Sequence, residues 1–112
     1  MKYSMFIGRW QPWHAGHRWL IDQRLNENKN VLICIRDIKT DTNNPYTPQE
    51  VKINVEKELK DLVENQKVKV MIIPDIESVN YGRGVGYDII EHVPPQKVGK
   101  ISATQIRKKL FK

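Results

Sequence analysis

Two histidines and two glycines lie close together near the start of the chain, in the stretch GRWQPWHAGH. Gly8 and Gly16 allow the backbone to approach a ligand closely. A helix that begins near Gly16 would direct free N–H groups and the positive end of its dipole toward that ligand. Because residues three apart share a helix face, His14 and His17 could donate hydrogen bonds to one phosphate group. The stretch therefore predicts a phosphate site.

The same two histidines also have a purely structural interpretation. His17 shares a helical stripe with Ile21 and Leu25, so it would be a core residue, and His14 would be a helix cap. The spacing alone leaves both interpretations open.

The C-terminal stretch ISATQIRKK predicts a second anion site. The hydroxyls of Ser102 and Thr104 and the N–H groups of the first helical turn would face the ligand, and Arg107 would close on it. The structural alternative is a capping box formed by Ser102 and Gln105, followed by basic residues that suit the end of a helix.

The apolar runs that must position these stretches predict a parallel sheet. Runs at 3–8, 30–35 and 68–74 are rich in aliphatic residues, and the second lacks the alternation of a strand that is wetted on one face. A further short strand is expected at 87–93. The order of strands and helices predicts an α/β fold: a Rossmann-like open parallel sheet of four to five strands with helices on both faces, in one domain over residues 1–112.

Helical patterns connect the strands. One runs from about Gly16 to Asn26, and another begins at Thr47, which forms a helix-start signature with Pro48 and Glu50. A last helix is expected over 101–111. The second helix carries an apolar stripe of Val51, Val55, Leu59 and Leu62.

Each predicted strand is followed by a cluster of polar residues, at 9–17, 43–50, 75–87 and 102–107. Ligands of open parallel sheets bind beyond the carboxyl ends of the strands. We therefore expect the four clusters to converge on one site.

The third cluster supplies candidates for binding a second substrate. Arg83 lies between two glycines and suits a mobile loop that closes on an anionic group, although glycine-rich loops are also ordinary turns. Trp10, Trp13 and Trp19 offer rings that could stack on a base, although for Trp19 the sequence favours packing between helix and sheet. The candidate residues of this side are Asp75, Asn80, Tyr81, Arg83 and Tyr87.

Charge and composition narrow the class of partner. The formal net charge is +6, but the lysines are spread along the chain, which favours small polyanions over nucleic acid. The single Cys34 lies in an apolar run and predicts a buried thiol in a reducing compartment. No apolar run reaches the roughly 18 residues of a membrane span, and the N-terminus lacks a signal pattern. We expect a cytoplasmic protein that does not associate with a membrane. The sequence leaves the oligomeric state open, including a homo-oligomer.

GRWQPWHAGH and ISATQIR together resemble the motifs of the HxGH nucleotidyltransferase superfamily, which contains cytidylyltransferases and nicotinamide mononucleotide adenylyltransferases. The resemblance extends through NPYTPQE and IIPDIESVNYGRGVGY and is closest to small cytidylyltransferase-like domains. It implies transfer of a nucleoside monophosphate from ATP or CTP to a phosphate-bearing small molecule. Pyrophosphate would leave, and Mg²⁺ would accompany the triphosphate.

The resemblance also assigns roles to residues. His14 and His17 would contact the α-phosphate and stabilise the charge that builds in the transition state, and no protein nucleophile is needed. Arg9 would lie near the phosphates of the triphosphate or the acceptor. The implied nucleotide-binding residues are Gly8, Arg9, Gly16, Ser102, Thr104 and Arg107.

Two departures from the family pattern bear on the substrates. Gly84 stands where the nicotinamide-nucleotide enzymes usually carry an aromatic residue that stacks on the nicotinamide ring, which argues against that acceptor. The interval between Tyr87 and Ser102 is short, whereas relatives place another strand and a loop there. The rival function is therefore a catalytically inactive nucleotide-binding or regulatory module of the same fold. Nucleic-acid binding is a weaker third function, because no recognised motif for it is present.

Overall fold

Three parallel strands form one sheet in the computed structural model, which describes residues 1–84 and 86–95. β2 lies in the centre and pairs with both neighbours, so the spatial order follows the chain order. The strands are β1 (Tyr3–Gly8), β2 (Asn30–Asp37) and β3 (Val68–Pro74). The predicted parallel arrangement of these strands is confirmed.

Helices fill the two connections, as the sequence predicts. They are α1 (Ala15–Leu25), α2 (Pro48–Glu58) and the short α3 (Lys60–Glu64). The Thr47 hydroxyl accepts a hydrogen bond from the Glu50 amide at 3.1 Å, and the Glu50 carboxylate accepts one from the Thr47 amide at 3.0 Å. This capping box is the predicted one, and such a cap stabilises a helix by about 1 kcal/mol.

Apart from Cys34, the buried residues of the three strands share one face of the sheet. Phe6, Ile33 and Val70 are neighbours in the strand register, and they belong to one buried cluster with Ile21 of α1 and Val55 of α2. Burying an aliphatic side chain of this kind contributes about 1.5–3 kcal/mol. The helices are thus held to the sheet by a single apolar layer.

No helix covers the opposite face of the sheet within the described residues. Met5 is 56% exposed and Met71 is 38% exposed, and both alternate with the core residues of their strands. Since the strand order follows the chain order, right-handed crossovers place α1 and α2 on the same face. The expectation of helices on both faces does not hold for this part of the chain. It arose because Leu32 and Cys34 make β2 apolar on both faces.

The strand predicted at 87–93 is absent from the described structure. Residues 88–95 have no regular secondary structure, and Ile89 and Val93 are 61% and 74% exposed. The His92 ring stacks on Phe6 at a centroid distance of 6.2 Å, which brings the segment near β1 without ladder pairing. An apolar run forms a strand only where a neighbouring strand pairs with it. The described sheet therefore has three strands rather than four to five, and the predicted helix at 101–111 lies outside the described residues.

Candidate functional site

The loop between β1 and α1 is tied to the segment that follows β2. The Gln11 side chain is 2% exposed. Its Nε2 donates to the Tyr46 carbonyl at 2.9 Å, and its Oε1 accepts from the Tyr46 amide at 3.0 Å. Arg9 Nη1 donates to Asn44 Oδ1 at 3.3 Å. These bonds hold the loop in place before any ligand arrives, which is the condition for positioning a reacting group.

Trp10 fills the space behind this loop. The residue is 5% exposed, and its indole Nε1 donates to the Cys34 carbonyl at 3.1 Å. A Cβ placed on Gly8 would lie 3.0 Å from the indole ring. Packing against Trp10 therefore accounts for a glycine at position 8, and its expected contact with a nucleotide stays a prediction.

His14 caps the N-terminus of α1. Its Nδ1 accepts hydrogen bonds from the Gly16 amide at 3.0 Å and the His17 amide at 3.4 Å. The His17 Nδ1 in turn accepts from the His14 amide at 3.2 Å. The two histidines form a reciprocal capping box. The expectation that N–H groups at this helix start are free for a ligand is therefore wrong for the amides of Gly16 and His17.

The capping bonds determine which ring nitrogens remain available. A nitrogen that accepts from an amide carries no proton, so each neutral ring carries its proton on Nε2. Neither Nε2 has a hydrogen-bond partner among the described residues. The rings of His14 and His17 stack with centroids 3.7 Å apart, so the two Nε2–H groups belong to adjacent rings.

Both imidazoles are neutral near pH 7. Burial and the neighbouring His14 lower the pKa of His17 to about 3, and burial lowers the pKa of His14. The His17 ring also packs edge-on against Trp10, with centroids 4.8 Å apart, and at a tilt against Trp13 at 5.3 Å. The two side chains therefore offer an anion neutral N–H dipoles and no net positive charge.

We expect the free energy of unfolding to fall as the pH is lowered from about 7 to about 5. The folded pKa of His17 lies below its ordinary value of 6.5, so the unfolded chain binds more protons in the window below 6.5. Stability rises with pH in that window and levels off above it. Urea unfolding at the two pH values measures the effect. His17→Gln retains an acceptor for the His14 amide and should weaken the pH dependence. An unchanged pH dependence in that variant would assign the effect to other groups.

An open cleft of about 580 Å³ lies at the carboxyl edge of the sheet. Arg9 lines it after β1 and Asp75 lines it after β3, because parallel strands end at the same edge. Arg36 Nη2 pairs with Asp75 Oδ1 at 2.8 Å across the cleft. The structure thus brings together part of the polar clusters that follow the first three strands. The charged lining residues are Arg9, Arg36, Asp37, Lys39, Asp41 and Asp75.

A second open groove, of about 240 Å³, borders His14, whereas His17 lines neither recess. Trp13, His14 and Arg18 line it from the start of α1, and Glu58 lines it from the end of α2. Arg18 is paired with Asp22 at 2.8 Å. His14 is therefore a wall of this groove, whereas Arg9 belongs to the larger cleft.

The residues predicted for the acceptor side are divided in the structure. Asp75 lines the larger cleft, whereas the other four lie outside the lining of both recesses in the described part of the chain. They are all exposed: Asn80, Tyr81, Arg83 and Tyr87.

The loop around Arg83 has a backbone reason for its glycines. Gly84 and Gly86 have φ angles of 74° and 78°, a region that side chains disfavour and glycine does not. The ordinary-turn interpretation therefore accounts for Gly84 and Gly86, whereas Gly82, the other glycine beside Arg83, has no such φ. The role of Arg83 toward an acceptor stays a prediction. The predicted triphosphate residues Ser102, Thr104 and Arg107 lie outside the described residues.

Sequence reasoning did not find the two side chains that tie the loops together. Gln11 bonds to a backbone 35 positions away, and no local pattern signals such a contact. Asn44 was detectable in part. Asp41 Oδ1 accepts from the amides of Asn43 and Asn44 at 2.8 and 2.7 Å, which is the Asx-type turn that Asp and Asn favour.

Comparison with known proteins finds a similarity to an enzyme over part of the chain. No model of a protein family matches the chain. Over 76 residues the chain is 32% identical to a nicotinamide-nucleotide adenylyltransferase of Methanocorpusculum labreanum, in an alignment that covers 66% of this chain and 43% of that protein. The chain thus spans less than half the length of this curated relative. The similarity supports membership of the nucleotidyltransferases in general, and the HxGH assignment stays a prediction. Among the described helices, none has the length and apolar character needed to cross a membrane.

Proposed function

We propose that the chain is a nucleotidyltransferase domain that transfers a nucleoside monophosphate from ATP or CTP to a phosphate-bearing small molecule and releases pyrophosphate. The observation that carries the proposal is the pair of neutral Nε2–H donors that His14 and His17 present at the start of α1. The similarity to an adenylyltransferase supports this reaction class and favours ATP as the donor.

The chemistry requires no protein nucleophile. An oxygen of the acceptor phosphate attacks the α-phosphorus, and the bond between that phosphorus and the pyrophosphate oxygen breaks. Negative charge is concentrated on the transferring group and the leaving pyrophosphate. Two N–H donors already fixed by their capping bonds stabilise that charge without reorganising. Because both rings are neutral near pH 7, they act as hydrogen-bond donors and move no proton.

The groups that would bind the acceptor phosphate are assigned from their positive charge. Arg9 and Lys39 line the larger cleft, and neither is in an ion pair with a described residue. They are the groups we assign to the phosphate of the acceptor. Mg²⁺ would arrive with the triphosphate and be held by phosphate oxygens. By the family resemblance, Ser102, Thr104 and Arg107 would hold the β- and γ-phosphates.

The proposed reaction is tested by a screen for pyrophosphate release. Each of the four nucleoside triphosphates is combined with a panel of phosphorylated acceptors in the presence of Mg²⁺, and we expect release with ATP or CTP and at least one acceptor. Arg107→Ala should weaken triphosphate binding by about 1.5–3 kcal/mol and monophosphate binding much less. Lys109→Ala is the matched control. Equal losses for both ligands would remove Arg107 from the triphosphate site.

A second candidate function is a nucleotide-binding or regulatory module without turnover. The observation that favours it is the short interval between Tyr87 and Ser102, where by the family resemblance relatives place another strand and a loop. Tight triphosphate binding without pyrophosphate release from any acceptor would make this the better description.

A further inference from the structure

The ring of His17 is enclosed by aromatic side chains rather than by charged ones. Trp10 meets it edge-on, at an interplanar angle of 86°, and Trp13 meets it at 45°. His14 stacks on it at an interplanar angle of 17°. Trp10 is the most deeply buried of these neighbours, so it is the contact least able to move.

Three features hold the Trp10 indole where it meets His17. Its Nε1 donates to the Cys34 carbonyl of the central strand, and the absence of a side chain on Gly8 leaves room for the ring. The Trp10 backbone has a φ of 52°. A non-glycine residue in this left-handed region costs about 1–3 kcal/mol and persists only where the surroundings enforce it. The indole is thus anchored to the sheet and not to the helix that carries His17.

We propose that Trp10 is a positioning residue, which holds the His17 ring so that Nδ1 accepts from the His14 amide and Nε2–H is left to donate to the ligand. The inference rests on the proposed function for its consequence in catalysis, but the orientation itself is a property of the free protein. Without the indole edge, the His17 ring could rotate about its side-chain bonds, so that Nδ1 and Nε2 would no longer keep their separate positions toward the His14 amide and the ligand.

Burial, to which Trp10 contributes the most enclosed contact, is the main cause of the low pKa of His17. Among the described residues, His14 is the titratable group whose ring contacts His17. Arg18 and Glu58 border the groove beside His14, and Arg18 is already paired with Asp22. Water that replaced the indole would stabilise the charged imidazolium, because burial is the main cause that keeps this ring neutral.

The test is a nitrogen NMR titration of the histidine rings in the wild type and in Trp10→Leu. In the wild type we expect an unprotonated Nδ1 and a protonated Nε2 on His17 down to low pH. In Trp10→Leu we expect a mixture of the two tautomers and a His17 pKa raised by about one unit or more. Trp19→Leu is the matched control, since Trp19 has no ring contact with His17 among the described residues, and its His17 signals should not change.

A merely structural role for Trp10 gives a different result. Trp10→Leu would then lower the melting temperature and leave the His17 tautomer and pKa as in the wild type, which would overturn the proposal. If Trp10→Leu does not fold, Trp10→Phe provides the same comparison. It keeps a ring but removes the Nε1 donor, so we expect a smaller change in the same direction, and unchanged His17 signals would again overturn the proposal.

Kinetics distinguish this inference from the proposed function. If wild-type protein transfers nucleotides, Trp10→Leu should lower kcat by about tenfold or more and change the triphosphate Kd much less, since misplacing a catalytic donor mainly affects the transition state. If no wild-type turnover is found but the NMR result is as expected, the proposed reaction fails and the positioning role of Trp10 stands. An unchanged kcat with unchanged tautomers would overturn the positioning role and leave the reaction intact.

Discussion

Replacing His17 with alanine is expected to lower the rate of nucleotidyl transfer by about 100- to 1,000-fold, or about 2.7–4 kcal/mol, with triphosphate binding little affected. The lost group is the Nε2–H donor, whose stabilisation is largest when charge builds on the transferring phosphate. The rate is measured by pyrophosphate release and the binding by calorimetry. His14→Ala should behave in the same way, because its ring offers the second donor.

The alanine variants also remove caps from α1, so matched variants are needed. His17→Gln retains a side-chain acceptor for the His14 amide, as glutamine does in ordinary capping boxes. His14→Asn retains an acceptor for the amides of the first turn, since asparagine is a favoured N-cap. Both variants should show the same fall in the rate of nucleotidyl transfer as the alanine variants, with a melting temperature close to that of the wild type. A variant that keeps its rate but melts early would show that the pair serves only as a cap.

Replacing Gln11 with leucine is expected to lower the free energy of unfolding by about 2–4 kcal/mol, because it removes the two hydrogen bonds that the buried Gln11 side chain makes to the Tyr46 backbone and each lost bond costs about 1–3 kcal/mol. Urea unfolding measures the change. Gln23→Leu is the control: Gln23 is half-buried in α1, and within the described part of the chain its side chain makes one hydrogen bond, to the Trp19 carbonyl four residues earlier. Gln23→Leu should lower the free energy of unfolding much less than Gln11→Leu does.

A second substitution separates the two bonds of Gln11. Gln11→Glu keeps an acceptor for the Tyr46 amide but supplies no donor for the Tyr46 carbonyl when the carboxylate is ionised. We expect it to destabilise the protein at neutral pH, since it also buries a charge. If Gln11→Leu and Gln23→Leu were equally stable, the tie between the two loops would contribute nothing to the fold.

Local chemistry made much of the fold predictable. The strand run at 68–74 and the capping box of Thr47 and Glu50 are in the structure as the sequence indicates, because aliphatic runs and cap spacing depend on neighbouring residues alone. The prediction of a fourth strand at 87–93 was wrong, because strand formation depends on a partner elsewhere in the chain. The prediction of helices on both faces of the sheet did not hold for the described residues for a similar reason, since an apolar residue does not specify what packs on it.

The histidine pair shows why a site is harder to predict than a fold. The spacing of His14 and His17 left a helix cap and a phosphate ligand as alternatives. The structure confirms the cap, which occupies Nδ1 of each ring and leaves Nε2 for the phosphate role that we propose. A pattern of residue types cannot reveal this division within one ring. The ties from Gln11 and Trp10 to distant backbone atoms were equally beyond a local pattern.

The single thiol of the chain gives access to the motions of the central strand. Cys34 is 2% exposed on the sheet face that the described helices leave uncovered, and burial raises the pKa of its thiol. An alkylating reagent can reach it only when the structure around β2 opens locally. The labelling rate, divided by that of the unfolded chain, therefore gives the free energy of that opening. The Cys34 carbonyl also accepts the hydrogen bond from Trp10. The same labelling rate therefore reports how firmly the sheet holds the loop between β1 and α1.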